Sequence, residues 1–329
     1  MDVLQGRLGG PRRAGRAAAV AVAAGVALLV GALPAGAVTS SLYAAGVTGP
    51  GGLVWMGSHL WVSDDRLGFC RLDGPTAGGT YAVNPATCST AASLPGQVSY
   101  QAETGFVYVP DAASTGQGVW RLSFDAVTET VGSPVLLAPN AGLAGERPTA
   151  TALGSDGNLY LGSAGTSDIL RVVDPGGRPT AQAVQKIGQG KRSGATRLAF
   201  IGGDLYLAEA SAVTALLGAA SCQPSSPCQA WVTPVTVAAP TALTSDGTNV
   251  LWFADTVAST SSVLSYTLST GAQAAYTTSG LLSPTTPTPF AFATALALDP
   301  TGHLYIADDP SNGHQPGTGR VWRVTPGAL

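Results

Sequence analysis

GHLYIADD, residues 302–309, places a glycine turn before a short apolar strand centred on Tyr305, followed by two carboxylates, Asp308 and Asp309. Five near-copies of that strand stand elsewhere: HLWVSDD (59–65), FVYVPDA (106–112), NLYLGSA (158–164), DLYLAEA (204–210) and VLWFADT (250–256). Their central aromatics, Trp61, Tyr108, Tyr160, Tyr206, Trp252 and Tyr305, are spaced 47, 52, 46, 46 and 53 residues apart. A strand-built period of this length is the mark of a β-propeller.

Each copy belongs to a larger unit. An apolar strand and a turn precede it, as in TALGSDG (151–157), LAFIGGD (198–204), TALTSDG (241–247) and LALDPTG (296–302). Asp-Gly and Gly-Gly pairs are hairpin-turn chemistry. A third strand follows, as in FCRLD (69–73), VWRLSF (119–124), ILRVVD (169–174), VLSYTL (263–268) and VWRVTP (321–326). A fourth, weakly patterned strand completes a blade. The sixth unit runs out at Pro326–Leu329 before its fourth strand. SSLYAAGV (40–47), which has no partner of its own, is expected to supply that strand and close the ring. The fold class is therefore all-β, a six-bladed β-propeller of four-stranded antiparallel blades closed by the N-terminal strand.

The stretches ALALDPTGHLYIADD and ATALGSDGNLYLGSA carry an apolar strand, a D-x-x-G turn, an apolar–aromatic–apolar strand and an acid or its counterpart. In this they resemble the NHL-repeat and SMP-30/gluconolactonase-like six-bladed propellers, over nearly all of residues 38–329. The resemblance implies a fold more than an activity, because such propellers serve as enzymes, binding modules and scaffolds.

Composition bounds the rest. Residues 1–17 carry four arginines and one acid and precede an apolar run ending Ala35-Gly36-Ala37. This is the pattern of an export signal spanning 1–37, leaving residues 38–329 as the propeller domain and no membrane span after cleavage. Charged residues make up only 11% of the chain and Lys186 and Lys191 are the only lysines, so no basic stripe offers a nucleic-acid footprint. The four cysteines suggest two disulfides in an oxidising compartment. Of three pairings, Cys70–Cys88 and Cys222–Cys228 are expected. Cys70 falls in blade 1 and Cys222 in blade 4, on opposite sides of a six-bladed wheel.

Asp308 is one of an aligned set at the end of the second strand: Asp64, Asp111, Ser163, Glu209, Asp255 and Asp308. A catalytic pair would not recur around a wheel. The set reads as scaffold, accepting backbone N–H bonds from the loop after that strand. Arg71, Arg121, Arg171 and Arg323 share a third-strand position, and pairing with strand-end carboxylates is expected.

Metal-dependent SMP-30 lactonases place acidic and amide ligands where first strands start. The resemblance carries those positions onto Gln97, Thr149, Thr151, Thr196, Thr241 and Thr294, with no carboxylate among them. Zinc-dependent NHL-type lyases use several histidines. His59 and His303 fall on the face opposite His314, too far to share an ion.

Four positions depart from the repeat and form the candidate ligand site: Asp65, Arg197, Asp309 and His314. Glu209 is the expected partner of Arg197. Asp308, Asp309 and Asn312 are candidate ligands for Ca²⁺, and no other cofactor is expected. The sequence reads best as a secreted binding or interaction module, monomeric, for an extracellular ligand or envelope protein. An SMP-30/NHL-like lactonase or lyase is the alternative, so catalysis is left open.

Overall fold

The computed structural model describes residues 39–74, 79–93, 95–113, 118–139, 146–163, 168–177, 184–189, 197–223, 225, 228–257, 260–276, 290–311 and 315–325. The expected export signal, Thr196, Asn312 and His314 lie outside the described residues.

The strands assemble into six antiparallel sheets, each built from strands consecutive in sequence except the last. Blade 1 runs Gly52–Met56, His59–Asp64, Gly68–Asp73 and Ala82–Val83. Blade 4 runs Arg197–Ile201, Asp204–Glu209, Ala212–Leu216 and Trp231–Thr236. Blade 6 takes Ala293–Leu298, Leu304–Asp308 and Gly319–Thr325 from the end of the chain and Thr39–Val47 from its beginning. Thr39 faces Thr325 and Val47 faces Gly319 in that last pair, so the ring is closed as expected. Tyr43 of the closing strand also stacks on Tyr81 of blade 1, with ring centroids 4.2 Å apart.

Second strands are buried on both faces, which is why they read as apolar runs rather than alternating ones; Leu304–Asp308 is buried throughout. Their aromatics fill the spaces between blades. Trp61, Tyr108 and Tyr160 are wholly buried. The tyrosines anchor their hydroxyls in the preceding turn: Tyr160 donates to Asp156 (2.8 Å) and Tyr305 to Asp299 (3.2 Å). Gly302 closes its D-x-x-G turn at φ +85°, a conformation that disfavours any side chain. The core is therefore divided among blade interfaces, as in the cluster of Leu53, Leu60, Tyr305 and Val321 where blades 6 and 1 meet.

Both expected disulfides are present, Cys70–Cys88 and Cys222–Cys228. The first fastens the segment following the short outer strand of blade 1 to its third strand.

The third-strand arginines act differently from expectation. They do not reach the acids that end the second strands, which sit at the other end of the blade, although Arg71 pairs with Asp73 at the end of its own strand (2.9 Å). Arg71 donates to the Glu129 carbonyl (2.9 Å), Arg121 to those of Pro175 (2.9 Å) and Gly177 (2.6 Å), and Arg171 to that of Cys222 (3.0 Å). Each acceptor belongs to the next blade. These arginines bind blade 1 to 2, 2 to 3 and 3 to 4. Ala215 and Ser265 occupy the position in blades 4 and 5. His59 and His303 lie on this same face, held against Glu129 and against Asp299 and Arg323 respectively.

Candidate functional site

The opposite face, where first strands start and second strands end, carries the strand-end acids. Asp64 accepts from the backbone N–H of Thr48 (2.8 Å), Arg66 (2.9 Å) and Leu67 (2.9 Å). Asp111 accepts from Ser93 and Ala113, Asp255 from Ala238 and Ala239, and Asp308 from Ala291 and Phe292. The hydroxyl oxygen of Ser163 accepts from Arg147 in the same way. The scaffold role is as expected, but most donors lie in the linker entering the blade, not in the loop after the second strand. Charge-assisted bonds to main-chain donors fix the crossings at Asp64, Asp111, Asp255 and Asp308, and a neutral hydroxyl does so at Ser163.

Asp308 is fully buried, and among the described residues its second carboxylate oxygen has no hydrogen-bond donor. Burial raises its pKa above the ordinary 3.8, against the lowering pull of the Phe292 and Ala291 N–H groups. A carboxyl with a raised folded pKa holds its proton more tightly folded than unfolded, so stability is lost as pH rises from its ordinary value through the folded one. Asp308→Asn, which keeps an acceptor oxygen but no charge, should remove that loss. Melting temperatures from pH 3 to 7 should rise less or fall more with pH in wild type than in the variant. Parallel curves would show that burial does not shift the Asp308 pKa between the unfolded and folded chain.

At the centre the inner strands close on one another. Gln97 and Ala150 form a parallel bridge between blades 2 and 3. A Cβ on Gly96 would lie 1.9 Å from the Thr149 carbonyl, so this approach requires glycine. The Gln97 side chain then crosses to blade 4. Its amide donates to the Leu198 carbonyl (2.6 Å) and accepts from the Leu198 N–H (2.8 Å), with a longer bond to the Leu243 carbonyl of blade 5 (3.4 Å). An inner strand has one edge unpaired within its own sheet. Gln97 satisfies that edge of blade 4 and bars the axial channel with one side chain.

Beside this bar, Arg197 of blade 4 donates Nε (3.1 Å) and Nη2 (2.9 Å) to the Thr294 carbonyl of blade 6. Enclosure pushes its pKa down to about 10. A pocket of about 400 Å³ opens over it, lined by Arg197, Glu209, Ala210, Ala239, Pro240, Thr241, Phe292 and Thr294. Thr241 donates its hydroxyl to the Ala293 carbonyl and Thr294 donates to that of Pro50, each at 2.5 Å. The walls are therefore mostly apolar. The pocket lies along blades 4, 5 and 6.

Arg197 is the inner-strand charge that the sequence singles out, and its expected partner Glu209 lines the same pocket. The two Arg197 hydrogen bonds described above run to a backbone carbonyl across the channel. Asp65 and Asp309 do not line the pocket. Their N–H groups donate to the carbonyls of Thr48 and Phe292, each at 2.9 Å. Asp309 is 1% exposed, and its carboxylate accepts from the Ser311 hydroxyl (2.6 Å) and N–H (3.2 Å), a turn-forming arrangement rather than an open loop. Replacing it would alter folding and not ligand contact alone.

The donors at the channel mouth do not fit a divalent ion of the SMP-30 kind. The Gln97 amide is engaged at both ends, the Thr241 and Thr294 hydroxyls donate to carbonyls, and a guanidinium stands where a cation would have to approach. Among the described residues no three His, Cys, Asp or Glu side chains converge as a metal site requires.

No protein-family model and no curated protein matches the chain. Solved structures do. A gluconolactonase from Xanthomonas campestris superposes with a TM-score of 0.59 at 16% identity, over 88% of this chain and 90% of that one. An auxiliary nutrient binding protein from Bacteroides thetaiotaomicron gives 0.60 at 12% identity, over 88% and 76%. The PQQ-bound aldose sugar dehydrogenase from Streptomyces coelicolor gives 0.53 at 16%, over 87% and 98%. What the chain shares with these proteins, across nearly the whole ring, is the six-bladed β-propeller fold.

Proposed function

We propose that the chain is an exported propeller that captures a small extracellular molecule in the pocket of blades 4, 5 and 6. The observation that carries this reading is the pocket itself. It pairs a guanidinium with apolar walls, and its hydroxyls are turned into backbone carbonyls instead of toward a general base. Its volume suits a metabolite-sized ligand. The nutrient-binding neighbour supports a binding role on this fold. Export is supported by the arginine-led apolar leader and by two disulfides. No helix among the described residues is long and apolar enough to cross a membrane.

The second reading, hydrolysis of a lactone, is favoured by the gluconolactonase neighbour. It requires carbonyl polarisation by a group other than the carboxylate-held ion that the mouth lacks donors for.

Native mass spectrometry tests the first reading. Residues 38–329, incubated with the small-molecule fraction of spent culture medium, should retain an adduct. Ala210→Trp, which fills the pocket, should lose it while keeping the wild-type circular dichroism spectrum. An adduct that survives in the folded variant overturns the assignment.

A further inference from the structure

We infer that this pocket takes an uncharged, largely hydrocarbon molecule and turns away ions and sugars. The inference rests on the pocket reading above and adds the ligand's chemistry.

The polar side chains of the wall are already engaged within the protein. Arg197 gives Nε and Nη2 to the Thr294 carbonyl, and both carboxylate oxygens of Glu209 are buried. Both side chains have further interactions. The Thr241 and Thr294 hydroxyl protons go to the Ala293 and Pro50 carbonyls, and the Thr241 oxygen also meets the Thr256 hydroxyl at 3.1 Å. The side chains left to meet a ligand are Ala210, Ala239, Pro240 and Phe292, all hydrocarbon.

The distribution of charge along the chain points the same way. Residues 210–298 contain no Lys, Arg, His or Glu, and their only Asp residues are Asp246 and Asp255. This stretch supplies all of the pocket wall except Arg197 and Glu209. Its two carboxylates are held by backbone N–H groups, Asp246 by those of Thr248, Asn249 and Val250 and Asp255 by those of Ala238 and Ala239. The stretch therefore offers little field to steer an ion toward the pocket.

An ion entering here sheds its water and finds no open partner. A sugar brings several hydroxyls to walls whose own hydroxyl protons are already given to carbonyls. A hydrocarbon group loses only its water and gains contact with the Phe292 ring and Pro240. With the Gln97 amide barring the axis, that ligand enters and leaves by one face.

Isothermal titration of residues 38–329 with phenylpropanol, phenylpropionate and phenylpropylamine tests this, with D-glucose as the neutral polar control. The three aromatic ligands share a skeleton and differ in charge. The alcohol should bind more tightly than either ion or glucose by about tenfold or more. Its binding enthalpy should become more negative on warming, the heat-capacity sign of apolar burial. Its affinity should not change between low and high salt. Phe292→Ala, which keeps the N–H bonded to Asp308 but removes the ring, should weaken the alcohol about tenfold while the circular dichroism spectrum is retained. The inference is overturned when either ion or glucose matches the alcohol, when the alcohol fails to bind, or when it still binds folded Ala210→Trp. A culture-medium adduct lost in Ala210→Trp, combined with no binding of the alcohol, leaves the pocket reading standing and removes this one alone.

Discussion

A chain lacking residues 1–47 will melt far below one lacking residues 1–38 and will self-associate. The nine residues Thr39–Val47 supply the outer strand of blade 6, with Ala44 and Val47 fully buried and Tyr43 stacked on Tyr81. Burial of side chains such as Val contributes about 1.5–3 kcal/mol each, and an aromatic pair adds about 0.5–1.5 kcal/mol. Together with the lost ladder bonds, the deletion removes several kcal/mol from a total that is about 5–15 kcal/mol for ordinary proteins. It also bares the edge of Gly319–Thr325, a template for a second copy. Thermal unfolding and light scattering read the two effects. Equal melting temperatures with a monomeric mass in both chains would sink the closure argument.

The second large effect belongs to Gln97. Gln97→Leu keeps approximate size but leaves the Leu198 N–H and C=O without their side-chain partner at the centre of the ring. Each buried main-chain group stranded in this way costs about 1–3 kcal/mol, so the expected loss for the two is about 2–6 kcal/mol. Gln97→Glu should fare no better, because a carboxylate offers nothing to the Leu198 carbonyl. Hydrogen exchange at the Leu198 amide distinguishes this cause from general loosening. It should accelerate in Gln97→Leu before amides in the outer strands do. A variant that melts with wild type would show that the bar across the channel is dispensable.

The ring was legible because repetition averages out local ambiguity. Six aromatic-centred strands at near-constant spacing leave few alternatives, and the missing fourth strand of blade 6 then identified its replacement. The acids at strand ends were read correctly as scaffold for the same reason. Single residues whose meaning depends on direction were harder. Arg71, Arg121 and Arg171 align within their blades, but the carbonyls they serve lie in the next blade, and alignment within a repeat does not reveal contacts between repeats. Arg197 stood out as a charge in an inner strand, yet its reach to Thr294 spans 97 positions in the chain. Gln97 was visible as the sole amide among threonines at the first-strand starts. Nothing in the sequence showed that it would turn across the axis to Leu198. Asp309 stood out as a departure from the repeat, but the sequence did not show that the turn at Ser311 folds over it.

The closing strand also sets a schedule. Thr39 and Thr325 are partners at opposite ends of the propeller sequence, so the first strand made is the last to find its place. At the usual synthesis rate of about 5–20 residues per second, Thr39–Val47 waits roughly 15–60 s for Gly319–Thr325 to exist. During that interval five blades can form from consecutive strands, but the circle cannot. Completion is thus reserved for full-length chains, and a ribosome that stops early releases an arc with two open edges, a shape that quality-control proteases can tell from the finished ring.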